Sequence, residues 1–315
     1  MSGIPDIAGF LSGAKRPLLV LVGPTASGKT ALSLSIVEEL RAQGHTIEII
    51  NGDSRQLYRL LDIGTAKIRP EEMRGIPHHL MDVLEPKEEV TAAWYKKEAE
   101  RVIAALHAKG VVPFLVGGSM LYVSAIIDNL EFVSQADPLL REKLRQQLSA
   151  KGPAALYEQL QELDPEGALS VDSRNAVYLL RALEICLTTG MRLQDAKKKR
   201  SSPYNLFIMG LDLKHEELQQ RIAQRVREMF AVGWVEEVQS LLKKGYTVND
   251  PGMQSHGYRE IAALLRDHSV EEVKVDRELQ ERIAASSRQY AKRQMTWWRH
   301  DARIHWISPQ ATNRS

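Results

Sequence analysis

A chain of 315 residues has room for a full hydrophobic core and a second lobe, and its 43% apolar and 26% charged content is that of a soluble globular protein. It has no apolar run of about 18 residues that would span a membrane, Met1–Arg16 lacks the layout of a secretory signal, and the lone Cys186 excludes an internal disulfide or a cysteine-cluster metal site. A cytoplasmic protein with a buried Cys186 is therefore expected, and the net charge of +2 excludes no partner class by itself.

In chain order, residues 17–23 form an apolar first strand, which runs into Gly23-Pro24-Thr25-Ala26-Ser27-Gly28-Lys29-Thr30. This stretch fits G-x-x-x-x-G-K-[ST], and a helix over 29–42 follows, with Leu32, Leu34, Ile36, Val37 and Leu40 inward and Gly44 as its stop. In that context backbone N–H groups and the helix N-terminus point at phosphate oxygens; Lys29 would reach the distal phosphate and Thr30 a metal ion. A second strand, 46–50, leads into Asn51-Gly52-Asp53-Ser54-Arg55-Gln56-Leu57-Tyr58. Open α/β sheets bind ligands at strand C-termini, so Asp53 should face the phosphate loop across one crevice. The competing reading makes Asp53 the N-cap of a helix over 55–60. Adjacent His78 and His79 cannot share a strand face, so they are read as structural, with at least one bonded to backbone. A helix over 91–108 precedes a buried strand over 111–116 that ends in Gly117-Gly118, a pair that admits a ligand or another backbone.

From about Asp128 the alternation of strand and helix stops. Residues 138–150, 153–162 and 175–188 read as helices, so 128–203 is an all-helical insertion bounded by the basic stretch Arg192–Pro203. A strand over 206–213 returns to the first sheet. A helix over 215–231 puts Arg221 and Arg225 on one face, where solvated arginines are the plainer reading. Helices over 258–267 and 270–299 follow a loop over 245–257. The last carries Arg288, Lys292, Met295 and Arg299 on one stripe, with Trp297 and Trp298 as core anchors. Arg192 with Lys197–Arg200, and Arg282–Arg303, form two basic clusters that point to a polyanionic partner. The fold class is thus α/β, a parallel P-loop NTPase-like sheet flanked by helices, with 1–127 and 204–315 as core and 128–203 inserted.

A phosphoryl-transfer enzyme places an Asp at a strand end to hold Mg²⁺; here the strand over 111–116 ends in two glycines, and Asp82 is a weak substitute. A nucleotide-switched nucleic-acid binder would use the basic segments but not the crevice. The third possibility is an enzyme whose loop holds a pyrophosphate leaving group while another group moves to a nucleic acid.

GPTASGKT at Gly23–Thr30, NGDSRQLY around Asp53, DIGTAK at Asp62–Lys67, PHHLMD at Pro77–Asp82, GGSMLY at Gly117–Tyr122, RALE at Arg181–Glu184, QSHGYRE at Gln254–Glu260 and KRQMTWWR at Lys292–Arg299 occur in one order. Together they resemble the bacterial tRNA dimethylallyltransferase family from about Leu18 to Trp306. The resemblance implies transfer of a dimethylallyl group from dimethylallyl diphosphate to N6 of the adenine 3′ of the anticodon, in tRNAs reading codons that begin with U. It implies Asp53 as base, Thr25 near the bridging oxygen and Arg225, with Gly23–Thr30 and Mg²⁺ on Thr30, at the diphosphate, which reverses the solvated reading of Arg225. It implies an RNA channel lined by Asp53, Ser54, Arg55, Gln56, Ser119, Arg141, Arg181, Gln254, Gly257, Tyr258, Arg259, Arg288, Lys292, Arg293 and Gln294, with the insertion gripping the anticodon stem. Ser119 stands where the family usually has Thr, and Tyr178 where it often has Arg. A monomer is expected. The alternative is an ATP-dependent kinase or ATPase acting on nucleotides or nucleic acid.

Overall fold

The computed structural model describes residues 6–132, 137–196, 201–266 and 277–308. Two compact units share the chain: residues 1–127 with 202–315, and residues 128–201. Lys197–Arg200 of the first basic cluster, and the expected start of the last helix at 270, lie outside the described residues.

The larger unit is a six-stranded, wholly parallel sheet. Its strands are β1 (Pro17–Val22), β2 (Ile47–Asn51), β3 (His78–His79), β4 (Val112–Val116), β5 (Asn205–Leu211) and β6 (Ile304–Ile307), in the spatial order β3-β2-β4-β1-β5-β6. Strand β1 is central, with Leu21 opposite Val116 on one side and Met209 on the other. Its residues 18–22 are fully buried because helices cover both sheet faces, which is why the strand reads as a continuous apolar run rather than an alternation. After β1 the chain moves outward to β2 and β3, returns to β4, and then crosses to β5. The chain thus reverses direction about β1, and a crevice opens at the strand C-termini.

Helices α1 (Ile7–Gly13), α2 (Lys29–Ala42), α3 (Ala92–Ala108) and α4 (Met120–Ile127) belong to this unit. Helix α2 buries the apolar positions expected of it. No helix forms over 55–60; that stretch is a run of turns in which Asp53 Oδ1 accepts Arg55 N–H at 2.9 Å. The capping chemistry exists there, but on an Asx-type turn. His78 Nδ1 contacts Ile76 O at 2.8 Å and His79 Nε2 contacts Glu48 at 2.6 Å, so both rings are structural.

The smaller unit contains α5 (Pro138–Leu163), α6 (Pro165–Ala168), α7 (Ala176–Thr189) and α8 (Leu193–Ala196). Helix α5 spans the two helices read from the sequence, and Gly152 at φ 75°, followed by Pro153, breaks it between them. Leu144, Leu156, Leu160, Leu179, Leu183 and Cys186 form this unit's own core.

Back in the larger unit come α9 (His215–Ala231), α10 (Trp234–Lys243), α11 (Tyr258–Leu264) and α12 (Arg277–Trp298). Seven elements, α1, α4, α6, α8, α10, β6 and the two-residue β3, have no counterpart in the sequence reading. On α12, Trp298 is core, but Trp297 is 48% exposed with its Nε1–H on Ser124 Oγ, which corrects its reading as an anchor. Met295 is buried, so the expected basic stripe is broken.

Candidate active site

One cavity of about 1110 Å³ opens at the strand C-termini of the larger unit, lined among others by Thr25–Thr30, Asp53, Thr65, Arg225, Trp234 and Tyr290. The phosphate loop forms one wall. Gly28 caps α2 in the left-handed region at φ 92°, with no side chain on the N-terminal amides, so the helix presents bare N–H groups and its positive dipole end. Gly23, also at positive φ, sits where a Cβ would meet Leu211 Cβ at 3.2 Å. Ser27 is buried with an unpartnered Oγ. Lys29 Nζ donates to Gly23 O at 3.0 Å and to Pro24 O at 2.7 Å. Burial brings the Lys29 pKa down from 10.5 to about 8; Asp53 counteracts this and Arg225 adds to it.

The same electrostatics place Asp53 and Arg225 with Lys29. Burial holds the Arg225 guanidinium below its ordinary pKa, while Asp53 and then Glu228 act to raise it. Arg225 is therefore a cavity residue, whereas Arg221, on the same face of α9, pairs with Glu217 at 2.8 Å. Asp53 is aimed by its neighbours. Its N–H reaches Asn51 Oδ1 at 2.9 Å, and Asn51 Nδ2 bonds Asp53 O and Leu80 O. Ser119, buried after β4, accepts Ser54 N–H at 2.8 Å.

Gly117 answers what the glycine pair admits at its first position: a Cβ there would lie 2.1 Å from Gly52 C, so the close approach is by backbone. Gly118 is crowded instead by Gln294. That side chain is only 1% exposed; its Oε1 accepts Thr25 N–H at 2.8 Å and its Nε2 donates to Gly118 O at 2.8 Å. Gln294 was expected on the RNA. It instead ties the phosphate loop to the turn after β4.

Other expected RNA contacts are also engaged within the protein. Gln56 Nε2 donates to Thr65 O and Ala66 O, and Arg55 to Pro251 O. Tyr258 is fully buried and Gly257 is packed on Trp234, so neither presents a surface to a macromolecule. Arg288 pairs with Glu281. In the smaller unit Arg141 and Arg181 share Glu184, at 2.5 and 3.2 Å. Lys292, Arg259 and Gln254 are exposed, with the Gln254 amide on Val248 O. Arg293 is exposed with its guanidinium 5.8 Å from the Tyr290 ring centroid.

Tyr290, on α12, also lines the cavity. Its phenol is pushed up to about 12, first by burial and then by Asp53, with a hydrogen bond to Ser119 opposing, so it stays a neutral donor. Asn51 and Tyr290 are the site residues that spacing did not single out. Asn51 does stand within the motif that contains Asp53.

Thr30, exposed at the first turn of α2, is a hard oxygen donor facing the cavity. Among the described residues no three His, Cys, Asp or Glu gather to hold a metal, and Asp82 is bound to Lys67 at 2.5 Å. The Thr30 hydroxyl fits a Mg²⁺ ion only as one ligand of a set otherwise made of phosphate oxygens and water. The strand-end acid of a phosphoryl-transfer site is not supplied by Asp82. No described helix is long and apolar enough to cross a membrane.

The family model for IPP transferase matches residues 56–301. The chain is 41% identical to a tRNA dimethylallyltransferase of Symbiobacterium thermophilum, over 96% of this chain and 93% of that one. It is 39% identical to one of Geobacter sulfurreducens, over 95% and 94%. Among solved structures it is similar to the full-length tRNA isopentenylpyrophosphate transferase of Bacillus halodurans, with a TM-score of 0.66 and 37% identity over 93% of this chain and 90% of that one. It is also similar to a eukaryotic dimethylallyltransferase acting on tRNA, with a TM-score of 0.71 and 27% identity over 90% and 70%.

Proposed function

The chain belongs to the IPP transferase family and is a tRNA-modifying prenyltransferase, and from that premise we propose how its cavity carries out the transfer. The donor is dimethylallyl diphosphate. The acceptor is N6 of the adenine 3′ of the anticodon in tRNAs reading codons that begin with U. The observation that carries this reading is the meeting of Asp53, Lys29 and Arg225 in one cavity against bare helix amides.

An exocyclic adenine amine is a poor nucleophile because its lone pair is delocalised into the ring. Asp53 orients N6 and accepts its proton as the N–C bond forms. The allylic C–O bond breaks, and its electron pair leaves on the diphosphate. The Gly23–Thr30 amides, Ser27, Lys29 and Arg225 stabilise that developing charge, with Thr25 near the bridging oxygen. Magnesium held by Thr30 would add counter-charge to the diphosphate. The neutral Tyr290 phenol offers a donor on the acceptor side, beside Asp53. Extruding the adenine from its loop costs about a few kcal/mol, which stacking and phosphate contacts offset. Lys292, Arg293 and Arg259 are exposed and suited to phosphates. In the smaller unit Tyr178, 66% exposed, is available to stack on a base, and that unit would grip the anticodon stem. A monomer acting in the cytoplasm completes the reading.

The test incubates the protein with dimethylallyl diphosphate, Mg²⁺ and an unmodified tRNA whose anticodon ends in A. Prenylated adenosine is expected after digestion. Nucleotide turnover without prenyl transfer would reverse the reading in favour of an ATPase or kinase.

A further inference from the structure

The loop over 61–67 borders the cavity without being a strand or a helix, so its backbone groups must be satisfied individually. Three of its N–H groups converge on one carboxylate. Glu237 Oε2 accepts from Asp62 N at 3.0 Å and Ile63 N at 2.8 Å, and Oε1 lies 3.5 Å from Gly64 N. The Tyr258 hydroxyl donates to Glu237 Oε1 at 2.6 Å and accepts Gly64 N–H at 3.1 Å. The carbonyls of Asp62 and Ile63 are taken up within the loop, by Lys67 N and Ala66 N. Thr65 O takes Gln56 Nε2 at 3.1 Å and lies 3.5 Å from the Arg225 guanidinium.

The support behind Glu237 is rigid. Trp234, one turn earlier on α10, is 1% exposed and lies between two glycines; a Cβ on Gly64 would be 2.2 Å from its Nε1, and one on Gly257 2.0 Å from Cη2. Its ring meets that of Tyr258 edge-on, with centroids 5.7 Å apart. The first half of the loop is thus held from α10 and α11, and its Thr65 carbonyl, also bonded by Gln56, borders one side of Arg225.

We propose that Glu237 is a positioning residue that holds Arg225 toward the diphosphate through the 61–67 loop, with Tyr258 as its partner. The proposal rests on the diphosphate role given to Arg225 above. A misplacement on the order of 1 Å from a change remote from the chemistry can cost as much as about a hundredfold, so the link is measurable.

Inorganic pyrophosphate binding, measured by calorimetry, tests this without any transfer step. Glu237→Ala is expected to weaken binding about tenfold in the wild-type background and to have no further effect in Arg225→Ala, because both changes remove one interaction. Glu237→Gln, which keeps one acceptor oxygen, should fall between wild type and Glu237→Ala. Tyr258→Phe should show a smaller loss that also vanishes with Arg225→Ala. Hydrogen exchange should quicken at Asp62–Gly64 and not across the sheet. Should Glu237→Ala fail to fold, the Glu237→Gln and Tyr258→Phe cycles give the same reading. Losses that add in the double variants, or no loss in any single variant, would overturn the proposal. Pyrophosphate coupling of this kind in a protein that transfers no prenyl group would instead sink the functional reading and leave the Glu237–Arg225 link standing.

Discussion

The two walls of the cavity are built by opposite means. The phosphate wall is one continuous segment, Gly23–Thr30, whose contacts are largely its own main chain and the start of α2. The acceptor wall brings Asp53, Ser119, Arg225 and Tyr290 together from four distant segments, with the Asn51 side chain holding Asp53 and the Ser119 hydroxyl holding the Ser54 amide. Apart from the charged donor Lys29, a wall of main-chain donors tolerates side-chain change provided its backbone conformation survives. A wall of convergent side chains loses function when any one support is removed. The effects of substitution should differ accordingly.

The sharpest break falls on the acceptor wall. Asp53→Asn keeps the shape and removes the base, so kcat should fall by about 10²–10⁴-fold, the range for a positioned acid–base group, while tRNA affinity, read by filter binding, stays near wild type. An equal loss of affinity would make Asp53 an RNA anchor instead. On the opposite wall Lys29→Met removes one charged donor, and a fall of about 10²–10³-fold is expected from single-turnover rates.

A pH titration separates the walls next. Free Lys29 titrates near 8. A bound diphosphate favours its protonated form and raises that pKa, so affinity is complete below about pH 8 and is lost above it, by up to about tenfold per pH unit. Calorimetry with pyrophosphate should show proton uptake on binding above pH 8. Lys29→Arg, which stays charged throughout this range, should remove that component of the pH dependence.

The difference between the walls also explains what could be read from the chain alone. Strands β1, β2, β4 and β5 have five to seven mostly apolar residues, and α2 and α3 have clear ends, so local pattern marks them. The phosphate loop is local too. Strand β6 has four residues and β3 two, too short to show a period, and both exist because a neighbouring strand pairs with them. Helix α10 directly follows α9 after a turn at Gly233, in the left-handed region at φ 100°, so its apolar stripe of Trp234, Val235, Val238 and Leu241 is not separated in the sequence by a loop. On the acceptor wall, spacing identified which residues matter more readily than what each touches. Gln294 stands among basic residues in KRQMTWWR, yet the turn of α12 sends it inward while Lys292 and Arg293 stay exposed. Arg225 shares a helix face with Arg221, and no periodicity says which of the two enters the cavity.

Glycine substitutions compare the walls by stability. Gly117→Ala forces a Cβ to within 2.1 Å of the Gly52 backbone. Overpacking of this kind costs about 1–3 kcal/mol, and each kcal/mol lowers Tm by about 2–4 °C in a domain of this size. Gly28→Ala meets nothing nearer than Arg221 at 3.6 Å, and its cost comes from φ 92° alone. Its penalty should be the lesser of the two, on the order of 1 kcal/mol. A larger loss at Gly28 than at Gly117 would mean that backbone strain, not crowding, limits this fold.

The smallest expected effect is at Ser119, where the acceptor wall depends on one hydroxyl. Ser119→Thr keeps the oxygen that accepts Ser54 N–H and adds a methyl at a site 6% exposed. Retaining the acceptor should hold kcat within about threefold of wild type, because a single neutral hydrogen bond is worth only about 0.5–1.5 kcal/mol and this one is kept. Ser119→Ala leaves the Ser54 amide short of its partner and frees the segment that carries Asp53. A fall in kcat of about three- to tenfold, with pyrophosphate affinity unchanged, is expected on the same scale. Parallel measurement of both variants separates the oxygen from the packing: if Thr is as damaging as Ala, the methyl is what the site rejects, and the acceptor wall is set by volume rather than by hydrogen bonds.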